Sequence, residues 1–276
     1  MSAILSAQGL AIGYAGADGW HAVLEGFDLE VKPGEVVSLL GPSGVGKSSV
    51  LRALAGLQPA AQGEVRLLGE PLRQPHPQVA VAFQDPCLLP WLNLRDNVAF
   101  GLDFRRQPRL PAAVARQRVD EAIAAVGLTA AARRYPAELS GGMAQRTALA
   151  RCLARQPRVL LLDEPFGALD EVTRADMQLL LLRLVAEQGT AAVLITHDID
   201  EALLVSDRIL LLGDHPARVI GEWHLDLAQP RTEAIEALGT LRIEILQTLR
   251  RASRPHPSPS AAEPAHVPAR SPSLAP

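Results

Sequence analysis

The sequence predicts an α/β fold with a mostly parallel sheet core, an antiparallel β portion and an inserted α-helical subdomain. Three observations carry this prediction. The run EVVSLLG, residues 35–41, is a strong buried-strand pattern that passes directly into a glycine-rich turn and then a helical stretch, VLRALAGL. From residue 158 onward strand-like and helix-like runs alternate, the pattern that gives parallel strands with helices on both faces. Between these two regions, residues 93–156 read as successive helices.

Taken in order, residues 3–12 and 21–31 are expected to be short strands around a turn, AGADGW. Gly56 and the segment QPAAQG should stop the helix that follows the glycine-rich turn. GEVRLLG (63–69) and VAVAFQ (79–84) are expected strands. The helical stretches are NLRDNVAFGLDF, AAVARQRVDEAIAAVGL and GMAQRTALARCLARQ. Strands are expected at RVLLLDE (158–164), AAVLITH (191–197) and DRILLLG (207–213), with helices near 172–188 and over IDEALLVS. Residues 232–251 place Leu238, Leu241, Ile245 and Leu249 on one helical face. The main domain is therefore expected over 1–251. Residues 252–276 are rich in Pro, Ala and Ser without apolar periodicity, and are expected to be disordered.

The chain has 276 residues, a formal net charge of −3 and 48% hydrophobic residues, which suits a globular body and argues against a general nucleic-acid binder. No apolar run approaches the roughly 18 residues of a membrane helix, and the N-terminus lacks a basic, then apolar leader. The expected location is the cytoplasm; work at a membrane would need a partner. Cys87 and Cys152 form no metal-binding pattern; Cys152 reads as a core filler and Cys87 as a loop residue. Only Lys32 and Lys47 are lysines, so a retained lysine is informative where arginine serves elsewhere.

GPSGVGKSS supplies that lysine. Gly41, Pro42, Ser43, Gly44, Val45, Gly46, Lys47 and Ser48 fit G-x-x-x-x-G-K-[ST], and Ser49 follows. Glycines let backbone N–H groups turn around phosphate oxygens, and the next helix adds the positive end of its dipole. Lys47 would reach the β- and γ-phosphates of ATP, and the Ser48 hydroxyl would bind Mg²⁺. The bland alternative is a glycine turn between strand and helix. In LLLDEP, Asp163 ends an apolar strand where it can hold Mg²⁺, and Glu164 can polarise an attacking water. Alone, that pair could merely cap the next helix. Together the motifs make the core one of the P-loop NTPase type. A GTPase is excluded by the lack of an N-K-x-D segment.

LSGGMAQR, residues 139–146, narrows the class. It resembles the signature of ATP-binding-cassette (ABC) proteins, and the resemblance, with motifs in the family's order, covers about residues 5 to 225. It implies that Ser140, Gly141 and Gly142, at a helix N-terminus, complete the ATP site of a second copy of the chain, sandwiching ATP between protomers. It implies further that Tyr14 stacks on adenine, that Gln84 senses Mg²⁺ and the attacking water, that Asp170, in the ALD run from Ala168, crosses the dimer interface, and that His197 contacts the γ-phosphate. On residue type alone, Tyr14 could equally be a surface or core tyrosine, Gln84 a polar strand end, His197 a structural histidine, and Ser140 and Asp170 ordinary helix caps.

QDPCLLPWLNLRDNVAFG, residues 84–101, places Leu88, Leu89, Trp91 and Leu92 in a loop after Gln84. Such residues either pack on their own subdomain or form a socket for a permease. LLPW followed by DNV looks like the subgroup importing nitrate, sulfonate and taurine, which implies an integral membrane permease contacted near Leu88, Leu89 and Trp91 and a periplasmic or surface solute-binding protein. The fold is expected to end near 251, which would leave no room for the regulatory domain that the resemblance associates with sugar-importer relatives. The alternatives are an exporter motor, a soluble non-transport ABC ATPase, or a non-enzymatic cassette; intact Lys47, Asp163, Glu164 and His197 oppose the last.

Overall fold

The computed structural model describes residues 2–16, 19–231 and 234–252. In chain order the strands and α-helices are β1 (Leu5–Gly16), β2 (Gly19–Val31), β3 (Val36–Leu40), α1 (Lys47–Leu54), β4 (Gln62–Leu67), β5 (Glu70–Pro71), β6 (Val79–Ala82), α2 (Leu94–Ala99), α3 (Ala112–Ala125), α4 (Gly141–Leu153), β7 (Val159–Asp163), α5 (Glu171–Gln188), β8 (Ala191–Ile195), α6 (Ile199–Val205), β9 (Arg208–Gly213), β10 (Arg218–His224) and α7 (Ile235–Ala252).

Two sheets result. One is antiparallel, in the order β2-β1-β4-β5. The other has the order β10-β9-β3-β8-β7-β6 and is parallel from β9 to β6, with β10 antiparallel at its edge. The inner strands β3, β7 and β8 are buried at every position, as parallel strands covered on both faces must be. Their side chains alternate between two cores. Val159 and Leu161 of β7 join Phe27, Leu39 and Leu51 under the antiparallel sheet; Leu160 and Leu162 face Leu94, Val119, Leu149 and Leu181 on the helical side. Each such side chain contributes roughly 1.5–3 kcal/mol relative to exposure.

The expected helical region is present, with one correction. The helix expected over NLRDNVAFGLDF ends at Ala99, because Gly101 adopts φ 94°, a left-handed turn conformation. Asn93 caps α2 by accepting a hydrogen bond from the Asp96 N–H. The first two strands run longer than expected, to Gly16 and from Gly19. Strand β10 was not predicted. It is a half-exposed edge strand interrupted by Gly221, so it carries no strong apolar alternation.

Near the C-terminus, α7 lays Leu238, Leu241, Ile245 and Leu249 onto the patch formed by Ile209, Leu211 and Leu203, with Ile245 fully buried. Helix α7 runs through Ala252, the first residue of the tail expected over 252–276; residues 253–276 lie outside the described residues. Cys152 is buried, and burial pushes its thiol up to about 11; Cys87 is exposed.

Candidate active site

The carboxyl ends of β3 and β7 set the site. The chain leaves β3 through residues 41–46 and enters α1 at Lys47. This loop tolerates no side chain at two of its glycines. A Cβ on Gly41 would lie 2.7 Å from the Leu212 carbonyl oxygen, and one on Gly46 would lie 2.8 Å from Val23 Cγ1. Gly46 also takes φ 107° as the residue that begins α1, a conformation costly for anything but glycine. Val45, between them, is buried and anchors the loop in the core.

Ser43, Gly44, Gly46, Lys47, Ser48, Ser49, Gln84, Asp163 and Glu164 line one cavity of about 280 Å³. The Lys47 ammonium donates to the carbonyls of Gly41 and Pro42 at 2.8 and 2.9 Å, folded over its own loop. Burial lowers its pKa, opposed by the nearby charges of Glu164 and Asp163. Burial raises the pKa of Asp163, opposed first by a hydrogen bond with Ser48. Hydroxyl and carboxylate are thus adjacent, the hard oxygen donors that suit Mg²⁺.

Glu164 stands at the rim with φ 47°, a left-handed conformation uncommon for a non-glycine residue. One carboxylate oxygen accepts a hydrogen bond from the Gln84 amide at 3.0 Å; the other lies 3.0 Å from His197 Nδ1. Gln84, Glu164 and His197 therefore converge from the ends of β6, β7 and β8.

The remaining expected residues lie away from this cavity's lining. Ser140 and Asp170 are exposed and each caps the helix it precedes: Ser140 Oγ accepts from the Met143 N–H, and Asp170 accepts from the N–H and hydroxyl of Thr173. The hydrogen bonds from Thr173 hold the Asp170 carboxyl below its usual range. Gly141 and Gly142 lie against Ala168 and Leu169. Tyr14 is 61% exposed, its ring stacked on His21 at a centroid distance of 5.4 Å. Two residues beyond His21 on the same strand, Val23 touches Gly46, so this hairpin abuts the loop.

The sequence reading missed Gln145. It is buried in α4, donates to the Glu164 carbonyl at 2.7 Å and accepts from the Ala168 N–H at 2.9 Å. A lone glutamine on the side of α4 that otherwise carries Thr147, Ala148, Leu149 and Cys152 into the interior was the available signal. The loop 84–92 also differs from its expected form. Of the four large apolar residues Leu88, Leu89, Trp91 and Leu92, Trp91 is exposed, at 71%, and the three leucines are half-buried. Fully buried Asn97 holds this loop, donating to the carbonyls of Leu89 and Leu92 and accepting from the Leu89 N–H.

A phosphate loop at a central parallel strand, with a paired Asp and Glu at the end of a neighbouring one, defines a P-loop nucleoside triphosphatase with an added helical region. The chain belongs to the ABC transporter family, whose family model matches residues 24–167, and is an ATP-binding ATPase of that family. It is 47% identical over 250 residues to the aliphatic sulfonates import ATP-binding protein SsuB 1 of Xanthomonas axonopodis pv. citri (strain 306), covering 89% of this chain and 98% of that one. It is 44% identical to the nitrate import ATP-binding protein NrtC of Synechococcus elongatus, over 86% of this chain and 37% of that one. Among solved structures, the dimeric cassette MJ0796 in a post-hydrolysis state with ADP and Pi matches with a TM-score of 0.74 and 30% identity, over 81% of this chain and 100% of that chain. No helix among the described residues is long and apolar enough to cross a membrane.

Proposed function

We propose that this chain is the ATP-hydrolysing motor of an importer for a small solute of the sulfonate, nitrate or bicarbonate class, held at the cytoplasmic face of a membrane by its permease. The relatives at 44–47% identity that serve sulfonates, nitrate and bicarbonate support the direction of transport and the class of solute. One observation carries the chemistry: the Glu164 carboxylate is held between Gln84 and His197 at the rim of the phosphate-loop cavity.

In this reading the amides of residues 41–49 and the Lys47 ammonium hold the phosphates, and Tyr14 stacks on adenine. Mg²⁺, when bound through Ser48 and Asp163 with Gln84 near it, supplies charge neutralisation of the phosphate oxygens. Glu164 orients the attacking water and takes its proton. The oxygen adds to the γ-phosphorus, the bond to the β–γ bridging oxygen breaks, and ADP and phosphate leave. His197 fixes the carboxylate and faces the γ-phosphate. Ser140, Gly141 and Gly142 of a second copy close over the same ATP, and Asp170 meets that copy across the interface. A solute-binding protein delivers the solute to the permease, which docks near Leu88, Leu89 and Trp91; Cys87 of the same loop borders a groove of about 570 Å³ with Phe100, Phe104 and Arg151.

The test is Glu164→Gln. It is expected to bind ATP, lose turnover and accumulate as a dimer with ATP and Mg²⁺ by size measurement. An ATP-bound variant that stays monomeric would contradict the two-copy site.

A further inference from the structure

We infer that Gln145 is a positioning residue that ties the Glu164 segment of one ATP site to the helix whose exposed end serves the other. This rests on the two-copy reading above and goes beyond it by naming the link within one chain.

The link is one side-chain amide. Its N–H donates to the Glu164 carbonyl at 2.7 Å and its oxygen accepts from the Ala168 N–H at 2.9 Å. Both ends of the Glu164–Ala168 turn are thereby pinned to α4. The Glu164 N–H is pinned separately, donating to the Ile195 carbonyl at 2.9 Å. Glu164 sits at φ 47°, and such a residue persists only where its surroundings over-determine it. Gln145 supplies part of that constraint from a position only 6% exposed, where water offers little alternative partner.

The contact continues to the start of the helix. A Cβ on Gly142 would lie 3.1 Å from the Ala168 carbonyl oxygen and 3.2 Å from Leu169 Cδ2. The first turn of α4 therefore lies flush on the Ala168–Leu169 segment, and Phe166 and Leu169 fix that segment in the core. A shift at the Ser140 end of α4 must move Glu164 or break the amide bonds. Glutamine suits the position because one rigid plane both donates and accepts; an ionised glutamate accepts only, and methionine matches the length with neither strong donor nor strong acceptor.

The experiment uses the full chain with Gln145→Met and Gln145→Glu, measuring ATP affinity at equilibrium and Mg-ATP hydrolysis against ATP concentration and pH. Misplacing a reacting group by about 1 Å can cost on the order of 10²-fold. Gln145→Met is expected to lower kcat about tenfold or more, to leave the ATP Kd within about threefold, and to bring the Hill coefficient toward 1. Gln145→Glu is expected to recover relative to wild type as pH falls, because a protonated carboxyl again donates and accepts. A folded Gln145→Met with kcat within about twofold of wild type overturns the inference. If that variant fails to fold, a Gln145→Glu profile parallel to wild type overturns it instead. Glu164→Gln run alongside separates the two readings: if it still turns over, the site assignment fails; if it is inactive while Gln145→Met is normal, only the link fails.

Discussion

Glu164 and His197 meet at 3.0 Å from the ends of β7 and β8, two strands paired in parallel with Asp163 opposite Ile195. The strand pairing sets this distance, since each residue lies just beyond its strand. The histidine side chain is 63% exposed and that of Glu164 20%, so the histidine can leave the carboxylate without opening the core. His197→Ala is expected to keep ATP affinity within about threefold and lower turnover by about 10² or more, the scale of a lost general-base or orienting group. Equilibrium binding and steady-state ATPase on one preparation check both. A variant losing affinity and turnover in parallel would make His197 a binding residue only.

Lys47→Ala tests the phosphate loop. The ammonium now bonds the carbonyls of Gly41 and Pro42, so removal frees two acceptors beside the cavity as well as deleting its cation. The expected loss is about 3 kcal/mol or more of transition-state stabilisation, with most nucleotide affinity. Wild-type turnover would show that phosphate binds elsewhere.

Arg231 anchors the segment after β10. It is 2% exposed and donates to the carbonyls of Leu203, Ser206, Leu225 and Leu227, two of which lie at the end of α6. Arg231→Ala would strand several buried acceptors and is expected to cost on the order of 3 kcal/mol in urea unfolding. Arg231→Lys should recover part of this, since one ammonium cannot match the guanidinium fork. Unchanged stability in Arg231→Ala would refute the anchoring role.

Glu201 makes stability depend on pH. Burial and the nearby Asp198 charge raise its pKa from 4.5 to about 7, against a hydrogen bond from Thr196 and the charges of Arg174 and His197. The folded state thus binds this proton more tightly than the unfolded state. The contribution of Glu201 to stability is fully present below about 4.5, is lost as pH rises through about 7, and levels off above. Each pH unit between the two values corresponds to roughly 1.4 kcal/mol. Glu201→Gln is expected to flatten this profile and to exceed wild type in stability at alkaline pH. Urea unfolding across the range checks it; parallel profiles would show that Glu201 does not titrate there.

The strands and the phosphate-loop residues were legible because burial and chemistry act locally: EVVSLLG must be buried, and GPSGVGKS has few other uses. Strand β10 was not, because an edge strand needs no apolar alternation. Gln145 and Arg231 were missed for a different reason. Their roles are hydrogen bonds to carbonyls distant in sequence, and the identity of a glutamine or arginine says nothing of which carbonyl it meets. The apolar loop was half legible: LLPW signalled an unusual composition, yet Asn97, which turns Leu89 inward, stands eight residues on.

Trp91 offers a test of the proposed permease docking. The chain leaves β6, passes Gln84 beside Glu164, and reaches Trp91 through a loop braced at both ends. Arg151 donates to the carbonyls of Pro86 and Cys87, and Asn97 holds those of Leu89 and Leu92. In the proposed coupling, a displacement at Gln84 would be passed along this hydrogen-bonded segment. Leu88 and Leu89 pack partly inward, which leaves Trp91 as the exposed large apolar side chain of the loop. Because Trp91 is 71% exposed, Trp91→Ala should change the stability of the isolated chain by no more than about 0.5 kcal/mol. It should leave ATP binding intact. If Trp91 anchors the permease, truncation should weaken assembly by about 2 kcal/mol, roughly 30-fold in affinity, and reduce solute-stimulated ATPase in the reconstituted complex. Thermal unfolding, permease binding and stimulated ATPase on the same variant decide the matter. A complex that forms and responds normally without the indole would remove Trp91 from the interface.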